Sequence, residues 1–217
     1  MIDVRRSAAR FTTQDPGLTS RHSFSFGTHY DPGNVGLAVL VAHNEDVVAP
    51  GHGYDTHPHA DLEIVTWVLE GSLVHQDSAG RSGVLHSERN DAPGAAVPTR
   101  FVQMWLRPDE PGLTPSYDQR EVPRESGLVP VVSGIAGVDA GVRIHTAGAA
   151  LHVARLGAGE SVALPDAARL HVFVARGAVD LEGVGPLAEG DAARFTEEGG
   201  ARVVATGPAE VLVWQLP

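Results

Sequence analysis

Glu63-Ile64-Val65-Thr66-Trp67-Val68-Leu69-Glu70-Gly71-Ser72-Leu73 is a run of β-branched and aromatic residues stopped by a charge and a glycine. That composition describes a strand ending at a corner. The same pattern returns as Arg169-Leu170-His171-Val172-Phe173-Val174-Ala175-Arg176-Gly177-Ala178-Val179: apolar strand, charged residue, glycine, small residue, apolar residue. A pattern that returns once in 217 residues implies two related β modules. The irregular, Pro- and Gly-rich stretch from Pro108 to Gly141 places the boundary, giving an amino-terminal module over residues 1–120 and a carboxy-terminal one over 121–217.

Working outward, the apolar residues fall in further short bursts between turn signals, as in Leu37 to Ala42, Phe101 to Leu106 and Val211 to Leu216. No segment carries a long helical period, and 25 Gly with 15 Pro punctuate the chain throughout. The expected class is all-β, a sandwich or barrel in each module. The modules differ at one point. After Gly177 the chain runs through Pro186-Leu187-Ala188-Glu189-Gly190-Asp191 into another strand at Ala192 to Phe195, whereas after Gly71 it passes from His75-Gln76-Asp77-Ser78 almost directly to His86. Something the size of a strand is missing from the first module.

Composition narrows the function. With 16 basic and 27 acidic residues the net charge is −11, which opposes attraction to nucleic acid or anionic lipid. There is no cysteine, so any metal must be held by His, Asp or Glu. Charges between Met1 and Arg10 stand where a signal peptide needs an apolar core, and no run of 18 apolar residues occurs. A cytoplasmic protein, outside the membrane and monomeric, is expected.

His57-Pro58-His59 and His86-Ser87-Glu88 each place two potential ligands at i and i+2. On a strand that spacing turns both side chains to one face, so two strands can close three imidazoles and one carboxylate around one cation. The bland alternative for the first pair is a solvated turn, and for Glu88 a place in the charged cluster Glu88-Arg89-Asn90-Asp91. Glu63 is the substitute ligand, because its parity along an unbroken strand matches that of His57 and His59. His75 is read as lining the barrel or pairing with Asp77, and His22, His29, His43 and His52 show no partner pattern. His145, His152 and His171 lack the i, i+2 spacing, which makes the second module structural. Trp67, Trp105 and Trp214 read as core.

The amino-terminal module resembles the pirin family of bicupins. The matching segments are Ser23-Phe24-Ser25-Phe26 with Tyr30-Asp31-Pro32, Thr56-His57-Pro58-His59 with Glu63-Ile64-Val65-Thr66, Leu69-Glu70-Gly71 with His75-Gln76-Asp77-Ser78, then His86-Ser87-Glu88 and Gln103-Met104-Trp105. The resemblance implies two jelly-roll barrels. It implies one divalent metal, Fe(II) first with Mn, Ni, Cu or Zn admissible, held by His57, His59, His86 and Glu88. Members of the family carry roughly fifteen more residues between the His-x-Asp-Ser turn and His-Ser-Glu, the element that the internal comparison finds missing. If the flanks close directly on Ala79 to Ser82, His75 comes to lie about opposite His86.

The activity implied is a quercetin 2,3-dioxygenase-like oxidation of a flavonol or other phenol by dioxygen. A divalent cation would lower the pKa of the flavonol 3-hydroxyl, and Glu88 would accept its proton. Other readings are a metal-binding regulator acting through a protein partner rather than DNA, and a bicupin that has lost its metal.

Overall fold

The computed structural model describes the chain except residues 56, 77–81, 87–96, 123–124 and 198, and describes 75, 76, 82–84 and 86 by their backbone alone. Among the described residues the regular structure is strand, apart from a 3-10 turn at Ser7–Ala9. Two compact units form. One comprises Met1–Arg10, Leu37–Val39 and Arg120–Pro217, the other Phe11–Gly36 and Leu40–Gln119. The first ten residues lie with the carboxy-terminal unit because Ile2–Arg5 ladders antiparallel onto Ala192–Thr196, a distant partner that no local pattern announces.

In the carboxy-terminal unit a seven-stranded sheet runs in the order Ile2–Arg5, Ala192–Thr196, Arg169–Arg176, Ala209–Leu216, Ala150–Leu156, Leu128–Ser133, Val142–Arg143. A four-stranded sheet follows the order Ser161–Ala163, Arg202–Ala205, Ala178–Leu181, Gly185–Ala188. Leu170, Val172, Val174, Val211 and Val213 from the larger sheet share one buried apolar cluster with Val179, Leu181, Leu187 and Val203 from the smaller. Their alternation along each strand is what lets two sheets enclose one core.

The amino-terminal unit has a five-stranded sheet ordered Phe11–Asp15, Leu18–His22, Leu40–Val48, Thr99–Leu106, Glu63–Glu70, and a separate hairpin of Ser72–Gln76 with Ser82–His86. The internal repeat is visible in detail. Glu63–Glu70 pairs antiparallel with Thr99–Leu106 and shifts register between Val68 and Glu70; Arg169–Arg176 pairs with Ala209–Leu216 and shifts between Val174 and Arg176. Gly71 (φ 72°) and Gly177 (φ 73°) then turn the chain out of the sheet in the left-handed region. Each packs against the start of the paired strand: a Cβ would lie 3.1 Å from Thr99 Cα at Gly71 and 3.1 Å from Ala209 Cα at Gly177.

The difference between the modules is equally plain. Arg169–Arg176 is flanked by Ala209–Leu216 on one side and Ala192–Thr196 on the other. Glu63–Glu70 has Thr99–Leu106 on one side and, among the described residues, is the edge of its sheet on the other. The hairpin also corrects the expected register. Its ladder pairs Ser72 with His86, His75 with Gly83 and Gln76 with Ser82, so the connection is the five residues 77–81 and His86 lies opposite Ser72 rather than His75. A five-residue loop slides the register three places from that of direct closure on Ala79 to Ser82.

Asp191 ties the amino-terminal strand down. Its carboxylate accepts hydrogen bonds from Ser7 N (2.7 Å), Arg6 Nη1 (2.8 Å) and Ala188 N (3.1 Å) while 5% exposed. Burial pushes this carboxyl up, but the Ser7 and Arg6 bonds, then Ala188 and the Arg6 charge, outweigh it and hold its pKa below the ordinary 3.8. The stability this contributes is complete above the unfolded value and drains as pH falls through the lower folded one. Asp191→Ala should cost about 2–3 kcal/mol in urea unfolding at pH 7. Asp191→Asn should remove part of the wild-type loss of stability below pH 3.8.

Candidate metal centre

Residues opposite one another in an antiparallel ladder share a face, so the pairings of the five-stranded sheet sort its side chains into rows. One row is Phe11, His22, Asn44, Gln103, Thr66; beside it run Thr13, Ser20, Asp46, Phe101 and, one step the other way, Ala42, Trp105, Ile64. This face is unusually polar for a buried sheet: Ser20, His22, Asn44 and Asp46 are all buried. Such groups are tolerated only when bonded. His22 Nδ1 lies 3.0 Å from Asn44 Oδ1 and its Nε2 2.8 Å from Thr13 Oγ1. Because the amide oxygen can only accept, this assigns the proton to Nδ1 and makes Nε2 the acceptor for Thr13. Trp105 Nε1 donates to Gln103 Oε1 at 2.9 Å.

The His57–His59 pair sits above this face, on the segment that enters the edge strand. The segment is pinned from below: Ala49 N donates to Gly17 O at 2.8 Å, and the His52 ring lies where a Gly17 side chain would be. The Tyr54 hydroxyl reaches Ser20 and Asp46; burial, then the Asp46 charge, push its pKa up. Farther along, Gly112 N donates to Asp61 Oδ1 at 2.7 Å.

His57 and His59 are exposed, with ring centroids 4.5 Å apart and planes at 72°. His57 Nδ1 donates to Asp55 O at 2.6 Å, which favours the tautomer with its lone pair on Nε2. The His59 ring stands edge-on to Trp105 at 5.1 Å and 81°. Partial burial, then repulsion from His57, lower the pKa of His59 and so favour its uncharged, metal-binding form. Two adjacent imidazoles, one with its tautomer fixed by a backbone carbonyl, are a donor pair that suits a divalent transition metal.

The structure brings these two candidates together. Among the described residues no three His, Asp or Glu side chains cluster as a cation site. Glu88 and the His86 side chain lie outside the described residues. The His86 backbone lies beside Ser72, past the end of Glu63–Glu70 remote from His59, and the turn at Gly71 lets that hairpin leave the sheet direction. Glu63 loses its parity argument: the chain from His57 to Leu62 is outside any strand and Asp61 has φ 52°. Glu63 pairs with Leu106, on the face opposite Ile64 and Trp105, and so points away from the residue against which His59 packs.

Sequence reasoning missed Trp105. It is half-buried and walls the site, whereas Trp214 is wholly core. The available signal was Gln103-x-Trp105, the same i, i+2 spacing as the histidine pair. His22 also has the partners its surroundings in sequence did not reveal.

A quercetin 2,3-dioxygenase of Escherichia coli K12 is 33% identical over 233 aligned positions that cover all of this chain and 99% of the relative. The chain belongs to the pirin family. A pirin family model matches residues 3–106, and a model of the quercetinase C-terminal cupin domain matches 131–216, so the fold is that of a bicupin. A Mycobacterium tuberculosis protein provisionally named a quercetin 2,3-dioxygenase is 49% identical, covering 99% of this pirin and 95% of its own length. The crystal structure of YhhW from Escherichia coli superposes with TM-score 0.91 at 31% identity, covering 100% and 98% of the two chains. The structure of that bacterial pirin in complex with nickel(II) gives 0.88 at 29% identity, covering 100% and 99%.

Gly17 tests the pinning of the segment that leads to His57 and His59. Gly17→Ala would force a side chain at φ 73° and drive it into the His52 ring. A loss of about 1–3 kcal/mol in unfolding free energy is expected, with faster amide exchange at Ala49 and His52.

Proposed function

We propose that this pirin is a metal-dependent dioxygenase that opens a flavonol such as quercetin with dioxygen, its cation held by His57, His59, His86 and Glu88. The observation that carries the reading is the His57–His59 pair, its rings 4.5 Å apart, with His57 Nδ1 engaged by the Asp55 carbonyl so that Nε2 is the nitrogen left for a cation. Support comes from the relatives named quercetin 2,3-dioxygenase and from the nickel(II) complex of the Escherichia coli pirin. A single divalent ion fits this donor set, and Fe(II) is the first candidate because dioxygen is the co-substrate. When bound, the ion supplies a Lewis acid that lowers the pKa of the flavonol 3-hydroxyl.

The protein's own part is positional and protic. The Asp55 carbonyl fixes the His57 tautomer, and Trp105 with Phe26 forms an apolar wall beside His59 on which a planar phenol can lie. Glu88 accepts the 3-hydroxyl proton, which requires its carboxylate within about 3 Å of that oxygen. Neutral imidazoles bind cations and protonated ones do not, so cation affinity should fall as pH drops below the ordinary imidazole range.

The test is metal analysis of the purified protein and of His57→Ala and His86→Ala variants, followed by loss of flavonol absorbance under oxygen after anaerobic loading with Fe(II), Mn, Ni, Cu or Zn. About one ion per wild-type chain is expected, with affinity reduced at least 10-fold and turnover abolished in both variants. A His86→Ala protein that keeps metal and turnover would remove the hairpin ligands from the set. A wild-type protein that binds none of the five metals would leave a metal-free bicupin.

A further inference from the structure

A histidine that binds a metal is normally aimed by a hydrogen bond from its second ring nitrogen. His57 has one, to the Asp55 carbonyl at 2.6 Å. His59 has none among the described residues, and its ring is instead set edge-on against Trp105, 5.1 Å between centroids and 81° between planes. Trp105 is itself fixed on two sides. Its indole N–H donates to Gln103 Oε1 at 2.9 Å, and Phe26 meets its ring at 5.1 Å and 68°. Phe26 in turn stacks on His22, 5.0 Å and 16°, whose two nitrogens are taken by Asn44 and Thr13.

We propose that Trp105 is a positioning residue for the metal pair: clamped between Gln103 and Phe26, it sets the plane of the His59 imidazole that a hydrogen bond sets elsewhere. The inference rests on His59 being a ligand, as proposed above. The chain of contacts begins at a buried, fully bonded His22 and ends at an exposed ring, so rigidity is carried from the sheet to a side chain that makes no hydrogen bond among the described residues. The arrangement demands a flat, anchored partner. An aliphatic side chain at 105 would fill part of the volume and leave the His59 ring free to turn about its χ angles.

The experiment is a titration with Co(II) against a chromophoric chelator, read together with the visible spectrum of the bound ion and the thermal midpoint of the metal-free protein. The variants are Trp105→Leu, Gln103→Met, and Trp67→Phe, the last changing a tryptophan on the opposite face of the same sheet. Trp105→Leu should weaken Co(II) binding about 3- to 10-fold, the range of an aromatic pair, and shift the absorption bands. Gln103→Met, which keeps the length and loses the acceptor, should move both readouts in the same direction by less. Trp67→Phe should lower the thermal midpoint without altering the spectrum, which separates positioning from general loss of packing. If Trp105→Leu binds Co(II) with wild-type affinity and spectrum, the positioning role is overturned while the ligand assignment stands. If the wild type binds no Co(II), or His59→Ala binds it unchanged, the ligand assignment fails and takes this inference with it.

Discussion

Both units of this pirin turn on one constraint, a chain that must leave its sheet at a glycine with no room for a side chain. Gly71 and Gly177 occupy the left-handed region, and a Cβ at either would press on the first residue of the strand paired with the one just ended. A ladder shift immediately before each glycine bends the strand toward that corner. Bulge, glycine and close approach act together. They direct the next segment out of the sheet, and so allow two layers to be built from one continuous run.

That geometry explains where chemistry can be placed. The corner commits one end of Glu63–Glu70 to the hairpin and leaves the other end, next to Ile64 and Trp105, for the segment that carries His57 and His59. The polar side chains beneath that segment are not a failure of the core. Thr13, His22 and Asn44 satisfy one another, and the aromatic rings of Phe26 and Trp105 carry that order to the surface. Buried polar networks of this kind specify one arrangement when every member is bonded.

The all-β class and the doubling were legible because a β-branched run ending in charge and glycine is a local signal with a local cause. Four things were not legible, each for its own reason. The hairpin register depends on loop length, and residues 77–81 carry no two-residue turn signature to set it. The parity of Glu63 assumed an unbroken strand, whereas the chain from His57 to Leu62 is outside any strand and turns at Asp61, φ 52°. Trp105 was read as core because a tryptophan in an apolar strand looks the same whether it meets aliphatic neighbours or the exposed imidazole of His59. The pairing of Ile2–Arg5 with Ala192–Thr196 is long-range and leaves no trace in the local pattern.

The edge left at Glu63–Glu70 bears on how crowded copies of this protein behave. A row of backbone donors and acceptors with Ile64 partly outside is a template on which foreign strands can nucleate cross-β stacks. The sequence supplies its own gatekeepers. Glu63 and Glu70 bracket the run, so two copies aligned antiparallel in register would set carboxylate against carboxylate at both ends. The edge that Glu63–Glu70 forms among the described residues thus carries its own guard against clumping in concentrated solution, and replacing those two acids by neutral residues is the change most able to undo that.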